Sequence, residues 1–541
     1  MSLWLFVPLV PLLAAVICLR WPRLRLLVAL APLPALALAL WPPAAVDIGW
    51  LWFTSRWGAE SLFARYLLGF TALLWTLAGL QARLNESLRS RRFWLFWALS
   101  LTGNLLLLIA VDAASFYVGF TLMSLAAYGL IIEQGGPAPR QAGRLYLQLA
   151  ILGEMLLFAG LMLRLQETGQ VLLLSEWLQI PTGAWTTALL LLGFGLKAGF
   201  WPLHVWLPLA HPAAPAPASA VLSGAMIKAG VLGVWLFMPA SGGALSPAFW
   251  LALGLFSAFY GALLGMGQQQ AKKALAYSSI SQMGYLLAIV ALAWQQPDAR
   301  AGLGLLLALF ALHHALAKGA LFMGAGLAAH HRFHGWQQLM LWLPALALAG
   351  LPLLSGGAVK TLLKKAVYDS DVSHWLWLFS LGSVATALVL ARALWLMNRQ
   401  SRAHSPLRLS RSWPLLVLVV LSLLAPWLLS SLRAAMLDHF ELSGLWALLW
   451  PLLVAALIAT AVWRWPPPEK YWRFLQASPA RRASLGVKRL WQMPAKPASL
   501  PKPGSPVWRG WERRCNRLWQ RQPLGLTVAM MSVLLLLGWF W

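Results

Sequence analysis

Apolar runs of about 20 residues, separated by short polar intervals, recur along almost the whole chain. That length, with few charges, is what one helical crossing of a hydrocarbon layer needs. The runs fall at roughly 2–19, 24–45, 61–82, 93–111, 113–133, 145–166, 185–203, 216–238, 247–267, 275–294, 300–328, 337–368, 374–397, 413–432, 444–463 and 524–541, which predicts about sixteen crossings. The first run shows no small-residue cleavage site and reads as a retained span rather than a removed signal.

The pattern departs from plain spans at 185–238. Two apolar runs there are joined by a polar elbow carrying Pro202, Pro208, Pro212, Pro215 and Pro217 beside His204 and His211. Proline removes a backbone donor and frees carbonyls upstream. At membrane depth this is tolerated only where the backbone is buried in protein or lines a wet cavity. Each run also holds a lysine near its middle, Lys197 and Lys228. A lysine at a span centre costs roughly 2.5–3.5 kcal/mol on insertion scales, so both need a reason. Broken helices with ionisable groups are a transporter pattern.

Composition removes the soluble alternatives. The 541 residues are 60% hydrophobic and 11% charged, which implies a helical membrane protein. The net charge is +27. In a soluble chain that would suggest nucleic acid. Here it is read as basic loops obeying the positive-inside rule beside anionic lipid, with no nucleic-acid partner. Arg20, Arg23 and Arg25, then Arg83, Arg89, Arg91 and Arg92, Arg140 and Arg144, Lys272 and Lys273, Arg332, and Arg399 to Arg411 fall in alternate loops. The loops between hold little beyond Arg56, Arg164, Arg300 and Arg433, with Lys364 and Lys365 the exception. This parity predicts an N-terminus outside and basic loops in the cytoplasm. The proline-rich stretch 464–523 is the longest polar segment, and its end, 507–521, has helical spacing with tryptophans on one face and arginines on the other. It reads as a helix lying on the membrane surface. Two cysteines, Cys18 and Cys515, provide no ligand spacing or disulfide framework.

Within the spans stand Lys197, Lys228, Lys318, Lys360, Glu154 and His314. H-H-A-L-A-K puts His314 and Lys318 four apart on one helix face, with His313 pointing elsewhere in a packing role. An imidazole changes charge near neutrality, and desolvation brings the two protonation states of a buried amine closer in free energy. Such groups suit a proton relay. No third ligand accompanies the histidines, so no metal is expected. Glu154 is the only carboxylate deep in a span, and Lys197 is its expected cationic partner. Asp112 and Glu133, at span edges, are read as solvated. Pro352, Gly356 and Gly357 mark a second helix break just before Lys360.

The stretch K-A-G-F-W-P-L-H-V-W-L-P-L-A-H-P-A-A-P-A-P-A-S-A-V-L-S-G-A-M-I-K-A-G at 197–230 resembles the antiporter-like membrane subunits of respiratory complex I, membrane-bound hydrogenases, formate hydrogenlyase and multisubunit Na+/H+ antiporters. A-K-K-A-L-A-Y-S-S-I-S-Q-M-G-Y at 271–285, H-H-A-L-A-K-G-A-L-F at 313–322 and A-G-L-P-L-L-S-G at 349–356 fit the same family, in family order, with the wording of 208–230 nearest its hydrogenase branch. The resemblance implies an all-α polytopic fold of about fourteen core helices. Two inverted five-helix repeats, 93–238 and 247–397, would each hold a broken helix. Residues 1–92 would be N-terminal helices, 398–463 C-terminal helices, 464–523 the basic segment and 524–541 a last span. It also implies a row of charged groups in the membrane plane. Lys197 and Lys228 fall in the first half, His314 and Lys318 at the centre and Lys360 at the second break, with His204 and His211 at the elbow. Two positions depart from the family pattern. Thr121 stands where the family usually carries a glutamate, so Glu154 is the candidate substitute, and Leu209 replaces an aspartate of the elbow.

The function so implied is proton translocation as one subunit of a multi-subunit bacterial inner-membrane oxidoreductase. Its partners would be other membrane subunits and a peripheral redox module. The chain itself carries no G-x-G-x-x-G after a strand and no cysteine cluster, so no cofactor is expected. The rival readings are a subunit of a Na+/H+ antiporter, a non-pumping membrane anchor suggested by Thr121, and a stand-alone solute transporter.

Overall fold

The computed structural model describes residues 3–51, 55–239, 246–401 and 405–464. The basic segment 464–523 beyond its first residue, its surface helix, Cys515 and the last apolar run lie outside the described residues.

The described part of the chain is mostly helical, as the apolar periodicity requires. Three N-terminal helices, α1 (Phe6–Arg20), α2 (Arg25–Leu30) and α3 (Leu33–Leu40), lead into a short antiparallel hairpin, β1 (Val46–Ile48) with β2 (Ser55–Trp57). Next come α4 (Leu62–Leu84), α5 (Arg91–Ile109), α6 (Ala113–Ile131), α7 (Pro137–Glu167), the one-turn α8 (Leu174–Trp177) and α9 (Ala184–Ala198). The elbow forms α10 (Leu207–Ala213) and α11 (Ala216–Val221), which widens into a π turn over Leu222–Met226 and continues as α12 (Lys228–Phe237). The second half holds α13 (Pro247–Met266), α14 (Ala271–Gln295), α15 (Arg300–Ala328), α16 (Leu339–Ala349), α17 (Ser355–Tyr368) and α18 (Leu376–Ser401). It closes with α19 (Trp413–Leu428), α20 (Ser430–Leu437) and α21 (Leu442–Arg464).

Among the described residues, 12 helices are long and apolar enough to cross a membrane, or 13 if the bent pair α19–α20 counts as one span. The remaining expected crossings resolve differently. The run 185–203 stops at Ala198, and 337–368 divides into α16 and α17. Both breaks have one cause. Gly199 (φ 70°) and Gly350 (φ 99°) end α9 and α16 in the left-handed conformation that glycine tolerates, and a proline follows within three residues.

The helices around the breaks are the most enclosed. α14 and α15 are buried over almost their whole apolar windows, whereas α1 and α7 present broad apolar faces outward. Without water to drive helices together, close backbone approach and packing must hold them. A Cβ on Gly284 would sit 2.4 Å from the Gly254 carbonyl oxygen, so α13 and α14 meet backbone to backbone there. A Cβ on Gly230 would sit 2.4 Å from the Phe194 oxygen, which presses α12 onto α9 within three residues of each helix's lysine.

Three expectations about edge charges need correction. Asp112 is buried rather than solvated. It caps α6, accepting from Ser115 N at 2.7 Å, and ties down the hairpin through Arg56 N at 2.9 Å. Glu133 is likewise covered, accepting from the Ser90 hydroxyl at 2.5 Å with Arg92 at 3.5 Å. Arg164 is no loop charge. It is fully buried and donates to the Trp177, Ile180 and Pro181 carbonyls, pinning the chain between α7 and α9.

Gly284→Val should cost about 1–3 kcal/mol through overpacking against Gly254, whereas Gly302→Ala, with open space around it, should be neutral or stabilising. Thermal unfolding in detergent should place the first midpoint below, and the second at or above, that of the parent.

Candidate functional site

The first break places Lys197 at the last turn of α9. Its Nζ donates to the Tyr146 hydroxyl at 3.2 Å, and Tyr146 in turn donates to the Ser124 carbonyl at 2.8 Å. The aromatic rings of Tyr146 and Phe120 flank the amine. Glu154, on α7, does not pair directly with Lys197 as expected. Its Oε2 accepts from the Thr121 hydroxyl at 2.6 Å. The two side chains instead share a cavity of about 20 Å³, lined also by Ser124 and Trp206, with room for one water. Thr121 is therefore part of the carboxylate's seat, a small residue beside which the α7 glutamate fits.

Lys228 depends on the π turn before it. Widening the helix frees the Ser223 and Gly224 carbonyls, which accept from its Nζ at 2.8 and 2.6 Å. The third contact is His314 Nδ1 at 2.7 Å, across to α15. One proton occupies that line between amine and imidazole, and the other ring nitrogen, Nε2, is buried without a partner.

Lys318 stands one turn along α15 from His314. It donates to the Leu275 carbonyl at 2.7 Å and to the Ser278 hydroxyl, both on α14. His211 is buried, stacks on Phe322 with centroids 4.4 Å apart, and has no hydrogen-bond partner on either nitrogen. His204 lies in the turn between α9 and α10, edge-on to Tyr260, and its Nδ1 is also unpartnered. Lys360, in the first turns of α17, donates to the Ala349 carbonyl at 2.6 Å, the last carbonyl before the second break.

Two residues join this row that sequence patterning passed over. His313 was expected only to pack. Its Nδ1 lies 2.8 Å from the Ser355 hydroxyl at the start of α17, so adjacent histidines of α15 face the two halves. Lys364, read as a span-end charge, is half-buried, one turn beyond Lys360. The two lysines line a small cavity with Tyr285 and Ser383. The i, i+4 spacing was a usable signal for Lys364, but nothing in the sequence indicated a cavity.

The four interior lysines are 0–6% exposed, and their hydrogen bonds run to hydroxyls, carbonyls and an imidazole. The ion pairs Arg56–Asp47, Arg92–Glu133 and Arg164–Glu167 each use arginine. No group of three or more His, Cys, Asp or Glu side chains among the described residues is placed to hold a metal.

The family of NADH:quinone oxidoreductase/Mrp antiporter transmembrane proteins matches residues 110–388, from the start of α6 to within α18. The chain belongs to that family. Hydrogenase-4 component B of Escherichia coli (strain K12) is 35% identical over 314 residues, covering 53% of this chain and 45% of that relative. The chain spans under half the length of the first curated relatives it matches. In fold it is similar to a chain of the Mrp complex from Dietzia sp. DQ12-45-1b, with TM-score 0.69 and 22% identity over 81% of this chain and 96% of that one. It is similar also to a chain of respiratory complex I from Thermus thermophilus with bound NADH, with TM-score 0.65 and 24% identity over 80% and 98%. It is thus an antiporter-like, multi-span membrane protein. The matched region of this NADH:quinone oxidoreductase/Mrp antiporter relative includes every residue of the row described above.

The Thr121–Glu154 contact has a spectroscopic check. The infrared carboxyl band that disappears in Glu154→Gln should shift in Thr121→Val, since the hydroxyl is the donor to Oε2. An unmoved band would show that the contact is not made.

Proposed function

We propose that this chain is a proton-translocating membrane subunit of a multi-subunit oxidoreductase of the hydrogenase or NADH:quinone type. The observation that carries the reading is the partner set of the buried amines. An ammonium held by a carboxylate leaves a stranded anion when it gives up its proton, which in low dielectric is costly. An ammonium held by carbonyls, hydroxyls and an imidazole leaves only neutral groups. Lys228, Lys318 and Lys360 are of the second kind, and Lys197 bonds the Tyr146 hydroxyl with Glu154 only across the small cavity. The proposed route runs from Glu154 across the small cavity to Lys197, then to Lys228 and His314, with Lys318 one turn away, and by way of His313 and Ser355 to Lys360 and Lys364. His204 and His211, each with an unpartnered buried nitrogen, are proposed as elbow stations that water can reach.

In this reading residues 93–238 and 247–397 are the two inverted repeats, each with its break. Residues 1–92 and 398–463 flank them, the N-terminus lies outside the bacterial inner membrane, and the basic loops are cytoplasmic beside anionic lipid. The redox chemistry belongs to a peripheral partner module. The relationship to hydrogenase-4 component B supports that placement. The fold shared with a chain of an Mrp complex makes exchange of sodium for protons the second reading.

Lys318→Met, which keeps the stem and removes the amine, decides between conduit and anchor. In vesicles holding the chain with the subunits that co-purify with it, proton uptake should fall at least ten-fold while assembly is unchanged. Unaltered uptake would overturn the proposal. Uptake that requires sodium on the opposite side would move it to the antiporter reading.

A further inference from the structure

The second break is closed by a residue from outside the row. His439 lies in the short turn Asp438–Phe440 after α20, and a 77° bend between α19 and α20 carries it there. It is buried, and both ring nitrogens reach the break. Leu353 N–H donates to Nδ1 at 3.2 Å. Nδ1 therefore carries no hydrogen, so the proton of the neutral ring is on Nε2, which lies 3.1 Å from the Thr361 hydroxyl. One imidazole thus spans the break, with the chain before it on one nitrogen and α17 on the other.

The backbone it holds is strained. Leu353 has φ 63°, a conformation rare for a residue with a Cβ. Such a residue persists only where its surroundings over-determine it. The other amides of this segment bond within the chain, Gly350 and Leu351 to Leu346 and Leu354 to Leu351, and Pro352 has none to give. The Leu353 amide goes to His439. Gly357 supplies the clearance, because a Cβ there would stand 3.1 Å from His439 Cε1. The same segment seats the relay amine. Ala349 accepts from Lys360 Nζ, and a Cβ on Gly350 would stand 2.7 Å from Lys360 Cδ.

We infer that His439 is a positioning residue for Lys360. It holds Leu353 and Thr361 so that the break keeps the Ala349 carbonyl turned toward the amine. The α19–α20 bend is then part of the conduit's second half. The functional half of this inference rests on the proton-conduction reading, and the structural half does not.

The test uses the full chain in its native assembly, with two readouts. Amide hydrogen exchange over 350–354 should rise at least ten-fold in His439→Ala. It should return close to the parent in His439→Asn, whose side-chain oxygen can take the place of Nδ1. Thr361→Val, which loses only the second contact, should show a smaller rise. Initial proton uptake should fall at least five-fold in His439→Ala and recover in His439→Asn. Unchanged exchange in His439→Ala overturns the inference, as does raised exchange with full uptake. If the parent assembly takes up no protons, the conduction reading fails while the exchange comparison still decides whether His439 holds the break.

Discussion

A desolvated ammonium has three donors to satisfy and little water to satisfy them. That requirement organises the centre of this protein. Each interior lysine is solved with neutral acceptors, and the geometry of the surrounding helices follows from delivering them. An intact α-helix commits each interior carbonyl to the amide four residues on and leaves only its second lone pair, which is what Leu275 of α14 offers Lys318. For Lys228 and Lys360 the chain opens its helices instead. The π turn over Leu222–Met226 frees two carbonyls for Lys228, and the end of α16 provides Ala349 to Lys360. In a lipid environment such irregular backbone survives only when enclosed by protein, and the breaks lie against α14 and α15, which are among the most buried of the described helices.

Arginine and lysine are sorted by this logic. A guanidinium stays charged under all ordinary conditions, and in this chain it serves as a structural tie. Arg164 gathers three carbonyls at the end of α7, and Arg300 lies 4.2 Å over the Trp235 ring while bonding its carbonyl. Lysine, which can exist without its proton, occupies the interior row. The substitution of one for the other at either kind of place would preserve charge and destroy the division of labour.

The positions of the spans were legible because apolar runs of the right length have few alternatives. Both breaks were legible from glycine and proline beside intramembrane lysine. The row itself was visible as isolated charges that hydropathy could not excuse. What stayed hidden was partnership across helices. Glu154 and Lys197 looked like a pair because each lacked any other counter-charge in sequence, yet Thr121 takes the carboxylate and Tyr146 the amine. His313 looked idle because a neighbour four residues from Lys318 had claimed the face, yet a histidine one position away points across to Ser355. His439 follows a bend whose angle no local pattern encodes, and Arg164 was counted with loops because a helix end in sequence can be the middle of a packed structure.

The contact between Lys228 and His314 has a further consequence. At 2.7 Å, two like charges would repel by several kcal/mol even at an effective dielectric near 20, roughly 332/(20 × 2.7). The couple therefore admits a single surplus charge. On the proposed conduction reading it is a turnstile with one place, where entry on the α12 side obliges departure on the α15 side. Traffic through the midpoint is then counted in units, whatever the supply at either entrance.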